Sequence, residues 1–488
     1  MRTLIVVQNP KNWDFKISGV RVISARDYLT DGQFSQLRGT RVFNLCRSYR
    51  YLSLGYYVSL LAEARGHRPL PTTQTIQDVR QQAVVQVVAD DLHELLQKSL
   101  APVQSPRFTL SIYFGQNLAR RYDRLSLNLF NLFPAPLLRA QFVHRDAWEL
   151  QSLYTISSNE VPQSHRPFVE WAATKFFAGR VGRARRQEYP YDLAILTDPK
   201  DANPPSDAKA LRQFARAAKA LGLKTTFVTK DDYGRLAEFD ALFIRDTTNV
   251  DHYTYRFASR ASAAGLVVID DPQSIVRCTN KVYLAELLAR HRIRTPGTTI
   301  VHADGVERVA QRMKFPCILK RPDGSFSQGV VKVDDADAFR HEAEQLLDGS
   351  DLIIAQEFLP TEYDWRVGVL DRHPLYVCRY WMAPQHWQII HWDESGSSRE
   401  GRFETLRVEQ APRALVRTAV RAASLVGDGF YGVDLKEARG KIFVIEINDN
   451  PNVDAGIEDA ALGPQLYARI MAVFRERLER RRNGGRLP

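Results

Sequence analysis

Apolar and polar positions along this chain follow two different rhythms, and the changes of rhythm mark its elements. Leu4 to Val7 is an apolar run of strand length, Tyr57 to Ala64 reads as a helix, and a longer apolar pattern extends from Ile76 to Leu100. After an Arg-rich stretch, Tyr191 to Thr197 reads as a strand. Ser206 or Asp207 then caps a helix to about Leu221, and Thr225 to Thr229 reads as the next strand, which makes a βαβ unit. Phe239 to Ile244 and Leu266 to Asp270 continue the alternation around the helical stretch Tyr253 to Ala264, and Asp271-Pro272 closes the segment. A helix beginning at Asn280-Lys281 carries Leu284, Leu287 and Leu288 on one stripe and ends before Thr295-Pro296.

Two strand-rich blocks follow. Phe315 to Lys320 leads through Pro322 to Gly329 into Val330 to Val333, and a helix spans Ala336 to Leu347. Leu352 to Phe358 then runs into an antiparallel pair, Arg366 to Leu370 with Leu375 to Trp381. A helix from Pro412 to Leu425 precedes a second strand pair, and a last helix from Gln465 turns Ile470, Val473 and Phe474 inward. No internal repeat at solenoid periods is present. The pattern predicts a mixed α/β (α+β) protein in three parts: an α/β domain over 1–180, a small βαβ domain over 190–275 and a strand-rich domain over 276–484.

A length of 488 residues, 44% of them hydrophobic and 25% charged, fits a soluble globular chain of two to four domains with a sizeable core. The first apolar run is too short for a secretory signal, and no stretch approaches the about eighteen apolar residues that span a bilayer. These features lead us to expect a cytoplasmic protein without a membrane partner. Cys46, Cys278, Cys317 and Cys378 lack any Cys-x-x-Cys spacing, which argues against a disulfide framework or a zinc site. The net charge of +11, with Arg-rich stretches at 180–186 and 475–482, would attract polyanions such as ATP, acidic peptides or RNA. No aromatic and basic residues interleave in an RNA-recognition pattern. Near the amino terminus, Arg47, Arg50 and four tyrosines crowd between Asn44 and Tyr57, either as a recognition surface or as a packed helix start.

The chemistry concentrates in the last strand pair, Gly432-Val-Asp-Leu-Lys and Ile442 to Asn452. With a side-chain period of two, Glu446 and Asn448 share a face, with Phe443, Ile445 and Ile447 on the other. A three-residue loop Ala438-Arg439-Gly440 would set Glu437 opposite Lys441 and Asp434 opposite Val444, diagonal to Glu446, barring a bulge. Ile442 and Val444 share the polar residues' parity, so that face is expected to be partly covered. Asp434, Glu446 and Asn448 are hard oxygen donors suited to Mg²⁺, which prefers one or two carboxylates plus substrate phosphates. Upstream, Lys320 ends an apolar strand ahead of a loop holding Gly324, Ser325, Ser327 and Gly329, whose backbone N–H groups could approach phosphates while the lysine supplies a point charge. Gln356-Glu357-Phe358 closes a strand, and Asp364, Arg366 and Arg379 put charge on strands otherwise rich in Val, Leu and Tyr. Gly427-Asp-Gly-Phe-Tyr-Gly432 follows a helix and enters a strand, the reverse of a dinucleotide-binding turn, and no P-loop, metalloprotease helix or serine-hydrolase elbow is found.

The series Asn280-Lys281, Ile318-Leu-Lys320, Gln356-Glu-Phe-Leu359, Asp364-x-Arg366, Gly432-Val-Asp434 and Glu446-Ile-Asn448 with Pro451 resembles the ATP-grasp superfamily. Within it, the RimK-like glutamate ligases are most similar. The resemblance covers roughly 190–480, with 190–275 similar to a pre-ATP-grasp domain and the first 180 residues similar to the domain fused ahead of some RimK-like ligases. It implies an ATP-grasp fold and an ATP- and Mg²⁺-dependent carboxylate–amine ligase, with Mn²⁺ as a substitute, acting through an acyl phosphate. The group added would be glutamate or another amino acid, and the acceptor a peptide, a protein tail or a small molecule. By the same resemblance Lys281 and Lys320 contact phosphates, Glu357 and Phe358 lie at adenine and ribose, Asp364 completes the nucleotide pocket, and Asp434, Glu446 and Asn448 hold the metal. Lys320 and Arg379 are the candidate catalytic groups. Where RimK carries Asp-Phe-Arg-Ser-Asn, this chain has Gln385-His386-Trp387-Gln388, so the substrate end differs. The rival reading is a non-catalytic RNA- or ribosome-binding protein that keeps the fold, and a third is a small-molecule ligase resembling glutathione or D-alanine ligases.

Overall fold

The computed structural model describes residues 2–482 except 14, 16, 18–19, 38, 81–91, 182–188, 324–328, 385 and 393–397. Its chain divides into two compact units, one of Met1–Glu188, Asp231–Glu238 and Arg481–Pro488, the other of Tyr189–Lys230 and Phe239–Arg480.

The first unit holds a parallel sheet in the order Arg21–Ser24, Arg2–Val7, Thr40–Asn44, Arg68–Leu70. Every residue of Thr40–Asn44 is buried, as a central parallel strand covered on both faces should be. An antiparallel sheet of Arg107–Tyr113, Leu137–His144 and Trp148–Thr155 joins the same hydrophobic core, to which the helix Arg166–Val181 contributes Phe177. The helix read from Tyr57 begins at Leu54, because the Ser53 hydroxyl accepts from the Tyr56 N–H and caps it. The Arg- and Tyr-rich stretch is therefore the turn into that helix, with Tyr51 62% and Leu52 57% exposed. Of the pattern between Ile76 and Leu100, helices Thr73–Asp78 and His93–Leu100 are described, and 81–91 lie outside the described residues.

Among the described residues the second unit contains three main sheets. A parallel one runs Val267–Ile269, Ala241–Ile244, Tyr191–Leu196, Leu223–Val228. It is packed by the helix Ala208–Ala220, which the Asp207 carboxylate caps, and by the last helix, Pro464–Arg482, through Phe214–Tyr467 and Phe243–Phe474 contacts. Asp271 caps a further helix, Pro272–Thr279, which hands over to Lys281–Arg290 at Asn280. The second sheet is antiparallel, in the order Thr298–Val301, Ile353–Glu357, Cys317–Lys320, Val330–Val333. The third, also antiparallel, is ordered Phe403–Leu406, His373–Trp381, Tyr363–Leu370, Phe430–Ala438, Lys441–Asp449. One face of this five-stranded sheet buries Trp365, Val367, Val433, Leu435, Val444 and Ile447 under the helix Arg413–Val426. The other face carries the polar site. All four cysteines are buried free thiols. Among the described residues no helix is long and apolar enough to cross a membrane.

Candidate functional site

The site is built on the hairpin of Phe430–Ala438 and Lys441–Asp449, and its register differs from the expected one in two ways. Its loop has two residues, Arg439 and Gly440, with φ of 53° and 67°, so Ala438 rather than Glu437 faces Lys441. Two positive φ values are what a tight two-residue hairpin turn needs. The register then slips between Asp434 and Leu435, leaving Ile445 as an extra residue, so that Asp434 faces Glu446 and Gly432 faces Asn448. This bulge reverses the parity of the strand. Val444 and Ile447, three residues apart, both enter the core, while Glu446 and Asn448 join Asp434 on the opposite face. The expected diagonal of Asp434 and Glu446 is thus a direct cross-strand pair, and Val444 does not share their face.

Arg366, on the neighbouring strand directly opposite Asp434, clamps that carboxylate with Nε–Oδ1 at 2.7 Å and Nη2–Oδ2 at 2.9 Å. The Asn448 amide donates to Asp434 Oδ2 at 3.1 Å. Gly432 makes room for this: a Cβ there would lie 2.9 Å from Pro451 Cβ and 3.5 Å from Arg366 Cδ. Lys281 is the first residue of its helix, where the Asn280 side chain accepts from Val282 and Tyr283 N–H groups. Its Nζ lies 2.8 Å from Glu446 Oε1. Burial raises the Glu446 carboxyl pKa, but Lys281 and Lys320 outweigh burial and leave it below the ordinary value.

Lys320 ends the strand Cys317–Lys320 and donates to Gln356 Oε1 at 2.9 Å, and the Gln356 amide donates in turn to Thr298. Burial lowers the Lys320 pKa to about 8; Glu446 opposes that shift, while Lys281 and Lys436 add to it. Asp364 meets Lys436 at 2.6 Å and accepts from the Thr361 hydroxyl, and burial keeps its pKa raised despite that lysine.

Lys281, Lys320, Asp434, Glu446 and Asn448 therefore converge, with Asp364 joined through Lys436. Glu357 and Phe358 stand apart from the carboxylates: the Glu357 carboxylate accepts from Gly297 N–H at 3.3 Å, and Phe358 lies under Lys332 and edge-on to Trp387. Gly329, at φ 69°, closes the base of the loop by accepting from Arg321 N–H. Gly324, Ser325 and Ser327 lie outside the described residues. Among the described candidates, Arg379 is the one that the structure turns away. It sits opposite Trp365, stacks over that indole at 4.5 Å and meets Glu404 at 3.2 Å, on the face of the sheet opposite Arg366. The reason is a second bulge. Leu370 faces His373, but Gly368 faces Tyr376, so Leu375 is the extra residue and everything beyond it changes face. Arg379→Ala is expected to keep turnover within about threefold while costing about 1–2 kcal/mol in denaturant unfolding, as loss of a half-exposed ion pair and of cation–π contacts with both Trp365 and Tyr363 should.

Two side chains of the cluster were not singled out from the sequence as site groups: Lys436, signalled by its period-two spacing from Asp434, and Gln356. In all, the cations Lys281, Lys320, Lys436 and Arg366 face the carboxylates Asp364, Asp434 and Glu446. Such a cluster suits a polyphosphate. Among the described residues no three His, Cys, Asp or Glu side chains could hold a metal by themselves. A cation here would draw on two carboxylates, one amide oxygen and phosphate oxygens, a donor set that fits Mg²⁺. Because Lys281 and Arg366 already neutralise those carboxylates, metal and polyphosphate should bind together more tightly than either alone.

The depressed Lys320 pKa has a pH consequence. Between about 8 and 10.5 the unfolded chain holds more protons at this residue, so its burial cost is fully present below pH 8 and is relieved as pH rises toward 10.5. Bound phosphate favours the charged lysine. Metal-free ADP affinity, measured by calorimetry, should therefore fall as pH rises through about 8, by up to about tenfold per unit, and Lys320→Met should flatten that slope.

Residues 25–172 match the family model described as the RimK-like ATPgrasp N-terminal domain, and residues 278–452 match one described as an ATP-grasp domain. Over 262 residues the chain is 26% identical to alpha-aminoadipate–LysW ligase LysX of Saccharolobus solfataricus, covering 49% of this chain and 88% of that protein. Over 241 residues it is 26% identical to a probable alpha-L-glutamate ligase of Aeromonas salmonicida, covering 48% and 77%. Among solved structures, D-alanine–D-alanine ligase from Bacillus anthracis superposes with a TM-score of 0.44 at 15% identity, over 60% of this chain and 99% of that one.

Proposed function

We propose that this chain, which belongs to the ATP-grasp superfamily and carries a RimK-like amino-terminal domain, is an ATP- and Mg²⁺-dependent carboxylate–amine ligase. The observation that carries the reading is the direct pairing of Asp434 with Glu446 inside a ring of four buried or half-buried cations. That arrangement binds a triphosphate and offers the metal its two carboxylates. The named ligases to which the chain is similar support the same chemistry.

In this reading a substrate carboxylate oxygen attacks the γ-phosphorus, ADP leaves, and an amine then attacks the acyl carbon, losing a proton as phosphate departs. Phosphoryl transfer asks the protein for positioning and charge neutralisation rather than for a nucleophile. Lys281 and Lys320 hold phosphate oxygens. Arg366 keeps Asp434 fixed by its two-pronged bond, and Lys436 anchors Asp364 through one carboxylate oxygen. Asp434, Glu446 and Asn448 would hold Mg²⁺, which supplies charge neutralisation at the phosphates. Glu357 and Phe358, at the end of their strand, would border adenine and ribose. The bond formed joins an amino acid, glutamate among the candidates, to an acceptor that is itself a peptide or a small acid.

The test is phosphate release from ATP with a panel of amino acids and peptides, followed by product mass. Release that needs both a carboxylate and an amine supports the ligase. ATP left intact by every pair, together with tight RNA binding that weakens steeply with salt, would favour the non-catalytic alternative.

A further inference from the structure

Among the described residues the second unit buries one cation that the proposed chemistry does not use. Arg245 directly follows the strand Ala241–Ile244 and is 1% exposed. Its hydrogen-bond partners are all neutral. Nε donates to Ser206 Oγ at 3.0 Å, Nη1 to Asn450 Oδ1 at 2.7 Å, and Nη2 to Pro451 O at 2.9 Å, to Ser206 Oγ and to Pro205 O. Phe214 and Phe243 lie under the guanidinium at 5.9 and 5.4 Å. A buried charge that meets no carboxylate in direct contact is expensive, and an apolar side chain of similar size would fill the space at lower cost. What the guanidinium supplies is a rigid fork of donors that fixes the chain segments it bridges.

Those segments lead to the proposed metal site. Asn450 is buried and left-handed, with φ of 47°. Its N–H donates to Asp270 Oδ2 and its amide donates to the Asp246 carbonyl, so three groups at the carboxyl ends of two parallel strands hold it. Pro451, whose carbonyl also accepts from Arg245, lies 2.9 Å from where a Cβ on Gly432 would stand, and Gly432 faces Asn448 across the hairpin. We propose that Arg245 is a positioning residue: by fixing Asn450 and Pro451 it holds Asn448 against Asp434, so that the parallel sheet of the 190–275 segment sets the geometry of the metal–phosphate site. This rests on the functional reading above.

The experiment compares wild type, Arg245→Met and Asn450→Gly, the last keeping the left-handed backbone while removing the acceptor. ADP affinity is measured by calorimetry with and without Mg²⁺, and folding by circular dichroism. The expected result is a wild-type gain in ADP affinity on adding Mg²⁺ that falls at least tenfold in a folded variant, with metal-free ADP affinity unchanged. A folded Arg245→Met with the full wild-type gain overturns the positioning role alone. If Arg245→Met does not fold, Asn450→Gly decides on the same terms. A wild type with no Mg²⁺ gain overturns the metal site itself, and the positioning role with it.

Discussion

Glu446→Gln is expected to lower ATP-dependent phosphate release by about a thousandfold while the protein stays folded. The substitution keeps the shape of the side chain and one oxygen within reach of Lys281 Nζ, which now lies 2.8 Å from the carboxylate. It removes one of the two negative charges that would hold the cation. Losing a single group that stabilises developing charge typically costs about 10²- to 10³-fold in rate, and a metal ligand stands at the upper end. Stability should fall by only about 1–2 kcal/mol, the cost of weakening one bond to a buried ammonium that retains an acceptor. Steady-state phosphate release and a thermal melt on the same preparation check both halves. Turnover within tenfold of wild type would remove Glu446 from the metal site.

Asp434→Ala should behave differently, with the larger loss in stability. Arg366 is held by two bonds to Asp434, and the two side chains are 23% and 22% exposed. Truncation leaves a half-buried guanidinium without its hydrogen-bonded carboxylate and takes away the acceptor of the Asn448 amide. Breaking such a pair from one side costs about 3 kcal/mol, partial exposure holding it to the low end of the range for buried pairs. Urea unfolding should show that loss as a lower midpoint with an unchanged slope. The double variant Asp434→Ala, Arg366→Met should recover part of it, because no unpaired charge remains. A single variant as stable as wild type would mean that the Arg366 clamp contributes nothing.

Both predictions depend on which side chains share a face, and there the sequence was readable only in part. The alternation around Glu446 and Asn448 marked the hairpin and put those two side chains on one face, and the resemblance of the surrounding motifs pointed to the superfamily. The register was not readable. One extra residue, Ile445, lets Val444 and Ile447 both reach the core, and the only trace of it is two apolar positions three apart around Glu446. The extra Leu375 has the larger effect, since it turns Arg379 away and leaves Arg366 as the arginine facing Asp434. Antiparallel pairs with a period of two have no way to announce a bulge except through the packing it serves. Lys436 was readable in retrospect, two residues beyond Asp434 on the same strand face. The links from Arg245 to Asn450 and Pro451 were not, because they join residues about two hundred positions apart.

A crystal structure of the protein with ADP and Mg²⁺ decides whether the hairpin carboxylates hold a metal. One metal ion should touch Asp434, Glu446 and Asn448 together with phosphate oxygens, and Lys281 should have moved from Glu446 toward the phosphates. A nucleotide bound away from the hairpin, or a metal that leaves Asp434 and Glu446 in their present ion pairs, would contradict that arrangement.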